Sequence, residues 1–386
     1  MTRLVHFACS GAIAGGVEHY LATLLATPGP FEHAVVFEEG DACRFAGAWP
    51  AQRSGWSTDR PADDRPDPGR LPDGVAVFHF PPSAATLDRL ARDRRPAVLF
   101  CHDHRWWCPS GSRYHLRPER ACAIRASGLA CGVRYHALHC GSLRPAAVFH
   151  GFRRAEAGRR ALADATLVLT ASTYMRDEAI RHGASVERTY SVPLPVAATV
   201  AASVPPGAPV VLFASRLTPE KGPALLLEAF AQMREPARLV MAGTGISASA
   251  IASAVARHPR RTDIELTGAL DPDAVRSRMR AATVVVVPSV WPEPFGLVGL
   301  EALAEGRPVV ACASGGIADW ARPELGGITV PPGRADLLAA ALDRVLREPA
   351  VGQRALASGP GWVAAHHAPA VHLEHLRSAL AAVGLA

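Results

Sequence analysis

The sequence predicts two doubly wound α/β domains, each built on a parallel sheet. In both halves of the chain, short apolar segments with the length of buried strands alternate with amphipathic helical segments. Between the halves, residues 196–209 are rich in Ala, Val, Ser and Pro, which is the composition of a linker. A chain of 386 residues also suits two domains at about 150 residues each.

The first half alternates regularly apart from two interruptions. Residues 41–73 are rich in Pro, Asp and Arg, and residues 105–145 are rich in Cys, Arg and His, so both are predicted to be insertions on a regular scaffold. The predicted elements are strand 3–9, helix 16–26, strand 33–39, strand 75–80, helix 83–93, strand 97–102, helix 152–164, strand 167–172 and helix 173–183.

The second half repeats the alternation and ends in a helical segment, 362–386, that we expect to pack back on the first domain. The domains are therefore predicted at 1–196 and 209–361, with a ligand cleft between the carboxyl ends of their sheets. The predicted elements are strand 209–215, helix 222–233, strand 238–242, helix 247–257, strand 263–267, helix 271–281, strand 283–288, helix 295–305, strand 307–311 and helix 335–347.

Composition limits the function and singles out one residue. The net charge of +6 favours an anionic ligand or an anionic membrane surface, while the lack of a nucleic-acid-binding motif argues against nucleic acid. No apolar run approaches the roughly 20 residues of a membrane span, and no signal peptide precedes the first strand, so we expect a cytoplasmic protein. Of the 41 Lys and Arg residues only Lys221 is a lysine. The preference for arginine fits a bias toward GC-rich codons, so a lysine kept at one position is informative.

The clearest ligand signal lies in residues 291–302, which follow the apolar segment 283–288. A buried strand here leads into a helix predicted to begin near Phe295, and the first amides of a helix attract anions. Glu293 precedes this helix and Glu301 lies about two turns into it, so the two carboxylates can accept hydroxyl groups of a sugar or ribose. The alternative is that Glu301 lies on an ordinary surface helix and that Glu293 lies in a loop without a ligand. The amides are those of Gly296, Leu297 and Val298.

A second candidate site follows the first strand of the second domain. Arg216 and Lys221 flank a turn there, and both cations can converge on a diphosphate whose charge grows as it leaves. The alternative is a solvated loop with a weak Glu220–Lys221 pair. There are also two glycine-rich loops, at 10–18 and 314–316. Their glycines would let a ligand approach the backbone closely, and the alternative is that both are tight turns without a ligand.

Several motifs together resemble the retaining GT-B glycosyltransferases of family 4, strongly over 209–345 and more thinly in the first half. They are Gly-Gly-Val-Glu at 15–18, Ser-Arg-Leu-x-x-Glu-Lys-Gly at 215–222, Ala-Gly-x-Gly at 242–245, and Glu293 with Glu301. The resemblance implies the GT-B fold of two Rossmann-like domains, a nucleoside diphosphate sugar as donor substrate and no metal at the reaction centre.

The resemblance also implies roles for individual residues. Arg216 and Lys221 would bind the diphosphate, Glu301 the ribose, and Glu293 with the backbone of Phe295–Val298 the sugar and its phosphates. The family's active-site histidine matches His102, at the end of strand 97–102. The catalytic set is then His102, Arg216, Lys221 and Glu293, and the further donor-binding residues are Gly16, Ser215, Gly243 and Gly245.

The implied reaction is a front-face transfer in which the leaving phosphate takes the acceptor's proton. Two alternatives remain: a sugar-nucleotide epimerase of the same shape, and a noncatalytic metal- or redox-sensing protein. A nicotinamide dehydrogenase is disfavoured because the loop at 10–18 lacks the G-x-G-x-x-G spacing.

The insertion at 105–145 carries a cysteine cluster in a stretch with little apolar material. A structural zinc ion or an iron–sulfur cluster would stabilise such a stretch, although the spacing is not C-x-x-C, and free thiols are the alternative. Its many arginines suggest recognition of an anionic or membrane-bound acceptor, or a solvated surface. The candidate ligands are Cys108, Cys122, Cys131 and Cys140, with His136 and His139 as substitutes.

Overall fold

The computed structural model describes residues 1–8, 16–39, 42–48, 73–82, 86, 92, 94–197 and 207–386. It divides into two compact units. Unit 1 comprises Met1–Arg117, Ala123–Pro195 and Pro369–Ala386, and unit 2 comprises Pro118–Cys122 and Val196–Ala368. Most of the predicted helix at 83–93, most of the loop at 41–73 and the glycine loop up to Gly15 lie outside the described residues.

Unit 1 is built on a seven-stranded sheet in the order β3-β2-β1-β4-β5-β8-β9, and β6 and β7 form a separate pair. All neighbours in the large sheet run parallel except β3, which is antiparallel to β2. The strands are β1 (Thr2–Ala8), β2 (Phe31–Glu39), β3 (Ala42–Ala48), β4 (Val75–Phe78), β5 (Ala97–Cys101), β6 (Tyr114–Leu116), β7 (Glu119–Ala121), β8 (Leu167–Thr170) and β9 (Thr189–Ser191). The helices are α1 (Gly16–Ala26), α2 (Gly128–Ala137), α3 (Pro145–Asp164) and α4 (Thr173–Arg181).

The insertion at 105–145 is more ordered than the sequence predicts. Trp106 and Trp107 are completely buried and join the core of unit 1, so apolar material does hold this stretch. Arg113 forms a buried ion pair with Glu178 of α4, which anchors the insertion to the sheet scaffold. Helix α3 begins at Pro145 rather than at 152, because a proline suits the first position of a helix.

Unit 2 contains a six-stranded parallel sheet in the order β12-β11-β10-β13-β14-β15. Counted from its first strand, this is the 3-2-1-4-5-6 order of a Rossmann fold. The strands are β10 (Val210–Ala214), β11 (Arg238–Ala242), β12 (Ile264–Gly268), β13 (Val284–Val287), β14 (Val309–Cys312) and β15 (Gly327–Val330). The helices are α5 (Pro223–Gln232), α6 (Ala248–Ala256), α7 (Pro272–Ala281), α8 (Leu297–Ala304), α9 (Ala335–Arg347) and α10 (Pro349–His367).

The sequence pattern accounts for most of unit 2. Strand β13 is four buried valines, as expected for a strand covered on both faces. Strand β15 was missed, because Gly327 and the short length hide its apolar pattern. Helix α10 was also missed over most of its length, since Gly352, Gly359 and Pro360 are unusual within a helix.

The chain ends in a separate helix, α11 (Pro369–Ala381), that lies in unit 1. It packs on α1, where the Tyr20 hydroxyl meets His372 Nε2 at 2.9 Å. The other ring nitrogen of His372 donates to the Pro193 carbonyl at 2.8 Å, so the Tyr20 hydroxyl must be the donor to Nε2. Within the described residues, no helix combines the length and hydropathy that crossing a membrane requires.

Candidate functional site

The loops that follow β10 and β13 lie at the topological switch point of unit 2. These strands are neighbours, and the strand order reverses between them. In doubly wound sheets ligands bind outside the carboxyl ends of the strands at this point. The β10 loop carries Arg216 and Lys221, and the β13 loop carries Glu293. The fold therefore brings together two motifs that are about 70 residues apart in the sequence.

Lys221 and Glu293 form a buried ion pair. The Lys221 ammonium nitrogen lies 2.8 Å from each carboxylate oxygen of Glu293, and the exposed fractions of the two side chains are 15% and 7%. The same ammonium lies 5.0 Å from the centroid of the Trp291 ring, which adds a cation–π contact. A lysine has three N–H donors, so one remains for a ligand.

Two further donors hold the Glu293 carboxylate. The Trp291 indole donates to Oε2 at 2.8 Å, and the Ser289 hydroxyl donates to the same oxygen at 2.9 Å. Burial alone would raise the pKa of Glu293, but the charge of Lys221 and these hydrogen bonds together hold it below its ordinary value. Glu293 is therefore an ionised carboxylate in a fixed position.

Sequence reasoning missed Ser289 and Trp291. They lie within four residues of Glu293, at the end of a buried strand, and that proximity was the available signal. A buried carboxylate needs donors, and on a tight loop the nearest polar side chains supply them.

Glycines allow the loops of this site to pack against one another. Gly222 has a φ of +70°, and a Cβ there would lie 2.0 Å from the Pro288 carbonyl oxygen. Gly315 has a φ of +60°, and a Cβ there would lie 2.2 Å from the Glu293 carbonyl oxygen. The Val290 amide also donates to the Glu220 carbonyl at 3.0 Å. These contacts fix the positions of Lys221 and Glu293.

The loop after β11 supports the β10 loop in the same way. A Cβ at Gly243 would lie 1.9 Å from the Ser215 carbonyl oxygen, and one at Gly245 would lie 2.5 Å from that of Leu217. The Leu217 amide donates to the Thr244 carbonyl at 2.8 Å. Gly243 and Gly245 therefore hold the loop that carries Arg216, a role that close packing explains without a ligand.

Helix α8 begins at Leu297, two residues later than predicted. Gly296 precedes it with a φ of +85°, and no side chain caps the helix, so the amides of Leu297 and Val298 have no partner within the helix. The Trp320 indole donates to the Phe295 carbonyl at 2.6 Å and packs against Gly299, where a Cβ would clash with the ring. The buried Phe295 and Trp320 thus position the start of the helix.

Two charged side chains at this end of unit 2 are exposed. Arg216 forms no ion pair with any described residue, and Glu301 accepts no side-chain hydrogen bond from one. Desolvation by surrounding protein raises the pKa of Glu301, although part of the residue reaches solvent, and the charge of Arg276 opposes the shift. Both groups are available to a ligand.

In unit 1, His102 follows β5 and ends a row of four histidines. The row begins at His33 on β2 and passes through His6 on β1 and His79 after β4. The nitrogen-to-nitrogen distances are 3.0 Å, 2.9 Å and 2.9 Å in that order. Burial lowers the pKa of every member, to about 4 for His33 and about 3 for His102.

A neutral imidazole has one donor and one acceptor nitrogen, so the tautomer of one member of this histidine row determines the others. The row therefore couples the proton arrangement of His102 to that of the other three histidines. The His102 ring also stacks on the Phe100 ring, with the ring centroids 4.3 Å apart. Gly16 is the first residue of α1, and among the residues that the structure describes no atom lies within 4 Å of a Cβ built there. The structure thus shows no steric need for glycine at this position.

The cysteines of the insertion do not form the expected metal site. Within the described residues, no three His, Cys, Asp or Glu side chains lie in an arrangement that could hold a metal ion. Cys108 is instead part of the hydrophobic core of unit 1, and Cys131 packs against that core. His115 contacts the Cys140 sulfur at 3.1 Å. The stability that a metal was expected to supply comes from the buried tryptophans.

Comparison with known proteins agrees with the geometry of unit 2. Residues 200–358 match the family described as glycosyl transferases group 1. This part of the chain therefore resembles the family, and it lies within unit 2. The match covers both loops that carry the Lys221–Glu293 pair, and the fold around them is the GT-B fold of two Rossmann-like units.

Curated relatives of this chain are named as glycosyltransferases. An uncharacterized glycosyltransferase of Methanocaldococcus jannaschii is 37% identical over 141 residues, which is 36% of each chain. The 2-deoxystreptamine glucosyltransferase of Streptomyces kanamyceticus is 31% identical over 181 residues, 45% of this chain and 46% of the relative. These matches thus span less than half of either relative. A D-inositol 3-phosphate glycosyltransferase of Streptomyces bingchenggensis is 29% identical over 77% of this chain and 72% of its own length.

Solved structures share the fold over the whole chain. The Anabaena protein HepE in complex with UDP and glucose has a TM-score of 0.67 at 16% identity, covering 99% of this chain and 100% of HepE. Sucrose-phosphate synthase from Thermosynechococcus elongatus has a TM-score of 0.69 at 20% identity, covering 100% of both chains. At these identities the likeness shows the fold alone.

Proposed function

We propose that this protein is a retaining glycosyltransferase of the cytoplasm. It transfers a sugar from a nucleoside diphosphate sugar to a hydroxyl or amine of an acceptor such as a natural product or a cell-envelope glycoconjugate. The observation that carries this proposal is the buried Lys221–Glu293 pair beside the exposed Arg216, at the switch point of the unit that matches the family.

The donor binds to unit 2 in this proposal. Arg216 and the remaining N–H donor of Lys221 bind the diphosphate, and their charge offsets the negative charge that develops on the leaving group. The unpaired amides at the start of α8 add donors to the same anion. Glu301 is exposed and accepts the two ribose hydroxyls. Glu293, fixed by its donors, accepts hydroxyls of the sugar.

Unit 1 supplies the acceptor side of the reaction in this proposal. His102 is neutral and held by the histidine row, so it can exchange a hydrogen bond with a sugar hydroxyl without adding charge. In a front-face transfer the leaving phosphate oxygen takes the acceptor's proton, and no side chain forms a covalent intermediate. Such a reaction retains the anomeric configuration.

The neighbours support a nucleotide-sugar donor. The HepE structure contains UDP and glucose, and other curated relatives of this chain are named D-inositol 3-phosphate glycosyltransferase and alpha-D-kanosaminyltransferase. Of these, only the ligands of HepE indicate a donor class, a nucleoside diphosphate sugar, and the proposal takes no more than that from them.

A thermal-shift screen of nucleoside diphosphates and their sugars tests the proposal. A ligand at 100 times its Kd stabilises the folded state by about 2.7 kcal/mol, so a true donor raises the melting temperature by several degrees. Arg216→Gln should abolish the shift, while Arg257→Gln, at an exposed arginine on another loop, should retain it. If no nucleotide shifts the wild-type protein, the donor assignment is wrong.

Product analysis then identifies the reaction. With a donor that binds, the enzyme should form a glycoside only when an acceptor is added, and proton NMR should show the donor's anomeric configuration. Conversion of the donor alone to an epimer would identify an epimerase instead, and an inverted product would contradict retention.

A further inference from the structure

Two neighbouring helices of unit 1 expose large apolar side chains. Leu129 and Val133 of α2 are 86% and 73% exposed, and they are one helical turn apart on the same face. Leu143, just before α3, is 41% exposed, and Phe149 within α3 is 58% exposed. Half of the eight large apolar side chains that are exposed among the described residues thus lie within 21 consecutive positions.

The same segment is strongly basic. Residues 123–155 contain five arginines and no aspartate or glutamate, against a net charge of +6 for the whole chain. Four of these arginines are exposed, and none of the four forms an ion pair with a described residue. They are Arg125, Arg134, Arg144 and Arg153.

The two helices pack together. The Tyr135 ring of α2 lies 5.6 Å from the Phe152 ring of α3, and the Tyr135 hydroxyl donates to the Ser142 carbonyl at 3.3 Å. The Ser127 hydroxyl caps α2 by accepting the Ala130 amide. The α2–α3 surface, defined as the four apolar and four basic side chains named above, is therefore presented by ordered elements.

The composition of this surface identifies its partner. A protein–protein interface has a core depleted of charge, whereas here each apolar side chain lies within five positions of an exposed arginine. The Arg153 guanidinium even lies 5.6 Å from the centroid of the Phe149 ring. Intermixed arginines and large apolar groups are typical of helices that lie in the interface of an anionic membrane.

We propose that the α2–α3 surface docks the protein on an anionic lipid bilayer. The arginines contact lipid phosphates, and Leu129, Val133, Leu143 and Phe149 enter the boundary between headgroups and acyl chains. The inference does not rest on the proposed transferase activity, because docking is measured as binding without any substrate.

Vesicle co-sedimentation of the full-length protein tests the inference. We expect binding to vesicles of phosphatidylcholine with 30% phosphatidylglycerol, and at least tenfold weaker binding to phosphatidylcholine alone. Raising the salt from about 0.1 M to 0.5 M should also weaken the binding, because it screens the arginines.

Matched substitutions separate the apolar contribution to vesicle binding from the electrostatic one. Val133→Glu should lower the partition coefficient at least tenfold, while Val186→Glu, at a valine that is 53% exposed in another part of unit 1, should leave it unchanged. Arg134→Gln with Arg144→Gln should lower it roughly 25-fold, at about fivefold for each arginine. Arg188 is an exposed arginine two residues after Val186 and serves as the control. Arg188→Gln should lower the partition coefficient by less than half as much as replacing one arginine of the α2–α3 surface.

Three results would overturn the inference. The first is no binding to anionic vesicles, and the second is equal binding to both kinds of vesicle. The third is weaker binding of the arginine variants together with unchanged binding of Val133→Glu, which would indicate electrostatic adsorption without insertion of the apolar side chains. All of the substituted side chains are exposed, so we expect each variant to fold. Circular dichroism checks this.

Discussion

Substitution of Lys221 by methionine should both destabilise unit 2 and stop turnover. Methionine keeps the apolar stem of lysine and removes its charge, so Glu293 is left buried and without its cation. Breaking a buried ion pair costs about 3–5 kcal/mol. Because Ser289 and Trp291 still donate to Glu293, we expect the lower end, about 3 kcal/mol at pH 7.5.

The loss of stability in Lys221→Met should depend on pH, and the structure determines whether it grows or shrinks as the pH rises. In the wild type the folded-state pKa of Glu293 is depressed, so its contribution to stability is present above about pH 4.5 and is lost as the pH falls through that lowered value. Without Lys221, burial dominates and raises the pKa of Glu293 above its ordinary value. The variant should therefore lose stability as the pH rises, with a smaller deficit at pH 5 than at pH 7.5.

Urea unfolding followed by circular dichroism measures this effect. At an m-value of about 2 kcal/mol/M, a loss of 3 kcal/mol lowers the midpoint by about 1.5 M. Replacing Arg377, whose partner Glu374 is exposed, serves as the control and should leave the midpoint unchanged. Equal midpoints for wild type and Lys221→Met, or a deficit that is the same at both pH values, would refute the reasoning.

Turnover provides the second measurement on the same variants. Loss of a cation that stabilises the leaving group should lower kcat by about 100-fold or more. Lys221→Arg should also impair it, because a planar fork replaces a compact charge between Glu293 and the Trp291 ring. Wild-type turnover in both variants would remove Lys221 from the mechanism.

Three further predictions follow from the loops and the histidine row. Glu301→Gln should raise the KM for the donor by about 10- to 100-fold, the value of a hydrogen bond to a charged group, with no change in melting temperature; an unchanged KM would contradict ribose binding. Gly222→Ala should cost more than 2 kcal/mol in urea unfolding, because its Cβ would overlap the Pro288 carbonyl and its φ is positive; a stable variant would contradict the described packing. His79→Phe should change the ¹⁵N shifts of the His102 ring and lower kcat/KM about fivefold; unchanged ring shifts would show that the tautomers are not coupled.

The sequence alone determined the two α/β units and the positions of the loops that carry the candidate site. The spacing and length of apolar segments can be read from residues that are close together in the sequence. Strand β13 and the start of α8 could therefore be placed to within about two residues. It did not reveal β15 or most of α10, where glycine and proline weaken the local pattern.

Tertiary structure decided which side chains meet. Lys221 and Glu293 are 72 positions apart, and only the strand order that makes β10 and β13 neighbours brings them within 2.8 Å. The same holds for the histidine row, whose members lie on or directly after four neighbouring strands. It also holds for Cys108 and Cys131, which pack in or against the core of unit 1. Local periodicity determines where a strand lies, but the order in which strands pair depends on the whole chain, and that order creates the site.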